Sequence, residues 1–198
     1  MTQSLRAAAL LLGLIALAGC PSMPRRVPVE PQSWDVRRTE LQAREAFALT
    51  GRVAVASGQE GFNARLRWEQ SGATSDVALD GPFGAGGVRI LSDGSTLQVA
   101  TSGGQELDAE AARAEIARRI GFEPPLSSLR YWLLGVPDPA SPANPVLDDE
   151  ARLASLEQGG WRIEYTDYAA VEGRWLPRRL TLHHGEVRVR LLVDNWRA

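Results

Sequence analysis

The chain has 198 residues, with 22 basic and 24 acidic side chains and a formal charge of -2, and every basic residue is arginine. That near-neutral balance excludes the net basic surface expected of a nucleic-acid-binding domain. A single cysteine, Cys20, excludes an internal disulfide, and no internal repeat divides the chain.

The first element is an export signal. Arg6 supplies a positive n-region, Ala7 to Ala18 form a short apolar run, and Leu17-Ala18-Gly19-Cys20 closes it. Crossing a bilayer takes about 20 apolar residues, so this run, followed by Pro21, Ser22 and Pro24, is too short to span. The tetrapeptide resembles a bacterial lipobox. That resemblance implies removal of residues 1–19 as a signal peptide and a covalent lipid on Cys20. Pro21 in place of Asp after the acylated cysteine implies sorting to the outer membrane, at its periplasmic face. Residues 20–33, with four prolines, read as the acylated Cys and a flexible tether. The remaining 34–198 suit one domain with one core, since roughly 180 residues remain after processing.

Within that domain, Trp34 to Phe47 reads as a helix, after which the period of the apolar residues changes to two. Phe47, Leu49, Val53 and Val55 share one side. Phe62, Ala64, Leu66 and Trp68 repeat the pattern against Asn63, Arg65, Arg67 and Glu69, which predicts two half-buried strands. Arg52, Arg65 and Arg67 fall on the polar sides, facing solvent, a lid or an acidic partner. Short strands follow around Val77 and Leu79, at Val88 to Leu91 and at Leu97 to Ala100. Between the first two of these, Gly81 to Gly87 sets Phe83 among small residues. The ring then either projects from the loop or folds back onto the sheet.

Asp108 caps a helical run to Ile120, with Ala112, Ile116 and Ile120 at helical spacing. Leu126 to Leu134 forms a second helix between Pro125 and Gly135. Val136 to Pro145, with four prolines, reads as a loop that cannot be a central strand. Alternation resumes over Leu153 to Gln158, Trp161 to Tyr168, Trp175 to His183 and Glu186 to Trp196, with a hairpin at His184-Gly185. The expected fold is mainly β (α+β): a curved antiparallel sheet or open barrel whose inner face the helices cover.

Signatures of catalysis are missing. His183 and His184 are adjacent on a strand and point to opposite faces, a poor pair for one metal. There is no Gly-x-Ser-x-Gly elbow, and Gly84-Ala85-Gly86-Gly87 lacks the lysine and helix of a phosphate loop. Asp148, Asp149 and Glu150 read as a solvated loop end. A non-enzyme without metal or cofactor, apart from the lipid on Cys20, is expected.

Several short motifs carry a more specific likeness. Leu49-Thr50-Gly51-Arg52-Val53-Ala54-Val55, Gly61-Phe62 with Arg65-Leu66-Arg67-Trp68, Gly81-Pro82-Phe83-Gly84, Leu129-Arg130-Tyr131-Trp132-Leu133-Leu134-Gly135, Gly160-Trp161 with Tyr165, Leu176-Pro177 and Asp194-Asn195-Trp196 together resemble the LolB family. The resemblance runs in order from the lipobox to the C-terminus. It implies a half-open antiparallel β-barrel of about ten or eleven strands with a helical lid over an apolar cavity. It also implies a monomeric receptor that accepts acylated cargo lipoproteins from the periplasmic carrier LolA and inserts them into outer-membrane lipid without nucleotide.

The resemblance assigns the apolar strand faces to an acyl-chain cavity: Leu49, Val53, Val55, Phe62, Leu66, Trp68, Ile163, Tyr165, Leu180, Leu182, Val189 and Leu191. Alternation alone fits a filled core equally well, and a filled core would suit a non-catalytic scaffold of envelope assembly. Ile116, Ile120, Leu129 and Leu133 are the expected underside of the lid. Pro82, Phe83 and Gly84 match a protruding loop of the family whose apolar residue, commonly Leu, enters the membrane. Phe83 keeps that apolar bulk, and an aromatic ring suits the interface.

Overall fold

The computed structural model describes residues 29–81, 87–101, 106–107, 110–111, 114, 122 and 124–197. The expected signal peptide, Cys20, the tether up to residue 28, Pro82, Phe83, Gly84, Ile116 and Ile120 lie outside the described residues.

One antiparallel sheet organises the domain. Its strands are β1 (Ala46–Ser57), β2 (Glu60–Ser71), β3 (Thr74–Asp80), β4 (Val88–Ser92), β5 (Leu97–Thr101), β6 (Glu106–Leu107), β7 (Ala143–Leu147), β8 (Leu153–Gln158), β9 (Trp161–Val171), β10 (Arg174–His184) and β11 (Val187–Arg197). Their order, β6-β5-β4-β3-β2-β1-β11-β10-β9-β8-β7, is that of two meanders joined where the first strand pairs the last. The barrel is left open between β6 and β7. The chain between those two edges therefore has to cross the open side, and it carries helix α2 (Leu126–Leu134); helix α1 (Trp34–Gln42) precedes β1.

Alternation explains which face is inside. In β1 Phe47, Leu49, Val53 and Val55 are buried while Thr50 and Arg52 are exposed, and in β2 Ala64, Leu66 and Trp68 alternate with exposed Arg65, Arg67 and Glu69. A register shift between Thr50 and Gly51 marks a bulge against β11. A Cβ at Gly51 would collide with the Leu192 carbonyl, so this close approach admits only glycine.

Two sequence expectations need correction. The helix predicted to Phe47 ends at Gln42, because β1 recruits Ala46 and Phe47 into pairing with β2. The proline-rich loop predicted to Pro145 ends in β7, where Pro145 lies opposite Leu156. The reason for excluding a strand there held only for a central one. An outermost strand tolerates a residue with no N–H to donate.

Helix α1 is pinned by a buried cation. Arg37 is 3% exposed and its Nη1 donates to the Trp175 carbonyl at 3.2 Å. Desolvation lowers its pKa. Nearby, the Arg152 guanidinium lies over the Tyr168 and Trp175 rings while its Nε donates to Asp148 at 2.8 Å. Asp148 is thus tied into the fold, where sequence suggested only a solvated loop end.

Candidate functional site

Helix α2 ends because Gly135 adopts φ 78°, a left-handed cap whose N–H donates to Trp132 O. From Ser128 onward the helix is strongly held. The Trp132 indole N–H donates to Gln158 Oε1 at 2.8 Å, and the Tyr165 hydroxyl donates to Trp132 O at 3.0 Å. Gln158 is itself 3% exposed and also binds the Asp138 amide and the Asp138 and Ser141 carbonyls. Ser128 Oγ donates to Asp138 at 2.7 Å. The start of the helix is different: Pro125 provides no side-chain cap, and Pro124, Pro125 and Leu126 lie against apolar side chains.

Beneath α2 the sheet leaves a cavity of about 80 Å³. Its floor is Val53, Val55, Phe62, Leu66, Trp68, Val77, Leu79, Ile90, Leu180, Leu182, Val189 and Leu191, and its roof is Leu126, Leu129 and Leu133 with Phe122, Pro124 and Pro125. Trp161 closes one side, in ring contact with Phe122 at 5.4 Å and stacked on His184 at 4.9 Å. Every lining residue is apolar. Such a space repels water and favours hydrocarbon.

Nine of the strand residues proposed from sequence line this cavity: Val53, Val55, Phe62, Leu66, Trp68, Leu180, Leu182, Val189 and Leu191. Leu49, Ile163 and Tyr165 are buried in the hydrophobic core outside the cavity lining. They are 2%, 0% and 7% exposed, and Tyr165 lies under the fixed end of α2. Burial raises the Tyr165 pKa, so its phenol stays a donor. Leu129 and Leu133 lie in the roof, on α2. Val77, Leu79 and Ile90 were missed as lining although their alternation was visible, because alternation does not say which part of a sheet a helix will cover. Phe122, Pro124, Pro125, Leu126 and Trp161 were missed as well: the crossing of α2 brings the first four to the cavity, and Trp161 reaches it from the start of β9.

The described residues contain no cluster of three or more His, Cys, Asp or Glu able to hold a metal ion. His184 is engaged in packing, with Nδ1 2.9 Å from Gly160 O. No described helix is long and apolar enough to cross a membrane.

Residues 45–196 match the family model described as Outer membrane lipoprotein LolB. The chain belongs to the LolB family. Among curated LolB relatives, one from Nitrosococcus oceani is 37% identical over 96% of both chains. Another, from Pseudomonas aeruginosa, is 33% identical over 92% of this chain and 91% of that one. Solved structures share the fold at low identity. A LolA superfamily protein from Nitrosomonas europaea has a TM-score of 0.53 at 11% identity, covering 84% of this chain and 93% of that one. A DUF1329 family protein from Desulfovibrio piger has a TM-score of 0.56 at 7% identity, covering 83% and 90%. The half-open antiparallel sheet is therefore an architecture shared beyond the LolB family, and membership of that family identifies the chain as an outer-membrane lipoprotein.

Proposed function

We propose that this LolB-family chain accepts acylated lipoproteins from a LolA-type periplasmic carrier and passes them into the outer membrane through the cavity under α2. Residues 1–19 act as the signal peptide, the lipid on Cys20 and residues 20–33 tether the protein, and 34–198 form the lipoprotein-binding domain. The observation that carries this reading is the wholly apolar cavity between the sheet and a helix held firmly at one end.

The physical need is plain. At about 0.8 kcal/mol per methylene, exposing two or three acyl chains to water would cost some tens of kcal/mol. The chains must pass directly between shielded sites, and tighter binding by the receptor than by the carrier suffices to give direction. Neither nucleotide nor catalysis enters.

Cavity size specifies what must move. A dry apolar cavity of about 150 Å³ takes one benzene, whereas this one is about 80 Å³. An acyl chain enters only when the walls part. The Gln158 and Tyr165 bonds hold the Trp132 end of α2 and the Ser128–Asp138 bond holds its first turn, so the Pro124–Leu126 segment ahead of that bond is the part that lifts. The apolar void favours this reading over a scaffold, which has no use for an empty interior. Phe83, which follows β3 in the sequence, enters the membrane during delivery.

The test is transfer of a radiolabelled lipoprotein from purified carrier to protein lacking residues 1–20, without nucleotide, followed by native separation. Label is expected on this chain. Label remaining wholly on a carrier that delivers to another LolB receptor would reject the proposal.

A further inference from the structure

The outer face of the sheet carries an arrangement that transfer through the cavity does not use. Arg179, Leu192, Arg52, Arg65 and Asp80 lie opposite one another in a single row across β10, β11, β1, β2 and β3. Adjacent strands are about 4.8 Å apart, and like charges directly opposite one another on a sheet cost stability. Arg52 and Arg65 are such a pair. Arg190, in the next row beside Ala54 and Thr181, adds a fourth exposed cation.

Ion pairing within the protein is incomplete. Arg52 reaches Asp194 at 2.9 Å, and Asp80 is 3.6 Å from Arg67. Arg65, Arg179 and Arg190 have no ion pair among the described residues. Small side chains between them leave a groove of about 1240 Å³ lined by all four arginines and a single carboxylate, Asp80. An anion in that groove relieves the repulsion, and guanidinium groups match phosphate oxygens bidentately.

We infer that this groove binds the phosphate headgroups of anionic phospholipid at the membrane surface. Position in the fold selects lipid as the occupant. The arginine row ends at Asp80, and the groove at Gly81, immediately before the segment that carries Phe83. If that segment enters the membrane, as proposed above, the groove is brought to headgroup level, and the inference rests on that reading. The lipid on Cys20 keeps the domain at the same surface.

The experiment compares the full acylated chain in vesicles of phosphatidylcholine alone and in vesicles also containing phosphatidylglycerol. Arginines are labelled with phenylglyoxal and located by peptide mass spectrometry. Modification of Arg65, Arg179 and Arg190 is expected to slow by about fivefold each in the anionic vesicles, while Arg38 on α1 reacts equally in both. Equal rates at the three groove arginines overturn the inference. So does protection that appears only when carrier is added to phosphatidylcholine vesicles, which would assign the face to an acidic protein surface. Cargo acceptance measured in the same phosphatidylcholine preparation tests the transfer reading separately. Acceptance without lipid protection removes only this site, and protection without acceptance rejects transfer while leaving the site.

Discussion

Replacing Val53 and Val55 together by isoleucine separates a working cavity from a packing defect. Both valines lie on the inner face of β1 and line the void, Val53 opposite Ala64 and Leu191, Val55 opposite Phe62 and Val189. Val→Ile keeps β-branching, so the strand preference is retained and only one methylene is added at each position. At about 0.8 kcal/mol per buried methylene the pair contributes at most about 1.6 kcal/mol. Residual burial in the unfolded chain reduces this to about 1 kcal/mol. For a domain of this size that raises Tm by about 2–4 °C. Acceptance of labelled lipoprotein from the carrier should fall, because the added methylenes occupy space that the acyl chains enter. Urea unfolding and the native-separation assay read the two effects. A loss of about 1–3 kcal/mol would mean overpacking and no usable void. Greater stability with undiminished acceptance would refute the assignment of the void to the acyl route.

Gln158→Leu leaves the Trp132 indole N–H and the Asp138 amide buried without their acceptor, at about 1–3 kcal/mol for each orphaned donor. Urea unfolding should show a loss of about 2–6 kcal/mol, and hydrogen exchange should quicken at residues 132–138. An unchanged exchange rate there would show that α2 is held by packing alone. Phe83→Glu should permit receipt from the carrier but impair release into membrane, measured by flotation of labelled cargo with vesicles; intact delivery would reject the loop's role. Asp93 accepts hydrogen bonds from the amides of Thr96 and Ser95 and from the Ser95 hydroxyl, which hold its carboxyl well below the ordinary value of 3.8. Since the folded pKa is the lower one, the contribution of this turn is complete above about pH 4 and is lost as pH falls through the folded value. Thermal melts of Asp93→Asn should therefore show a shallower decline than wild type below about pH 4.

Local pattern was enough for most elements of the fold. Alternation over Phe62 to Glu69 and Val187 to Val193 had one solution, because a shift by one residue would bury Arg65, Arg67, Arg188 and Arg190. Pro125 and Gly135 bounded α2 for equally local reasons, one lacking the N–H that a helix start does not need and the other adopting φ 78°. Likeness across the chain to LolB motifs was also legible, and the family match bears it out. The Pro145 strand was not, since proline reports only that a strand cannot be central, and whether an edge exists there depends on β8 lying alongside.

Tertiary structure alone decided where apolar surface becomes empty space. Leu49 and Leu66 have the same period and nearly the same burial, yet Leu66 lines the cavity and Leu49 does not. Pairing of β1 with β11, at opposite ends of the chain, brings Val53 and Val55 beside Val189 and Leu191 and creates a floor that neither half possesses. The open gap between β6 and β7 then forces α2 across that floor, with Trp132 tied to Gln158 at one end and apolar contacts at the other. Periodicity records which side of a strand avoids water, because that preference belongs to each residue. Whether a void remains on that side depends on how closely distant elements approach, and this is a property of the assembled fold.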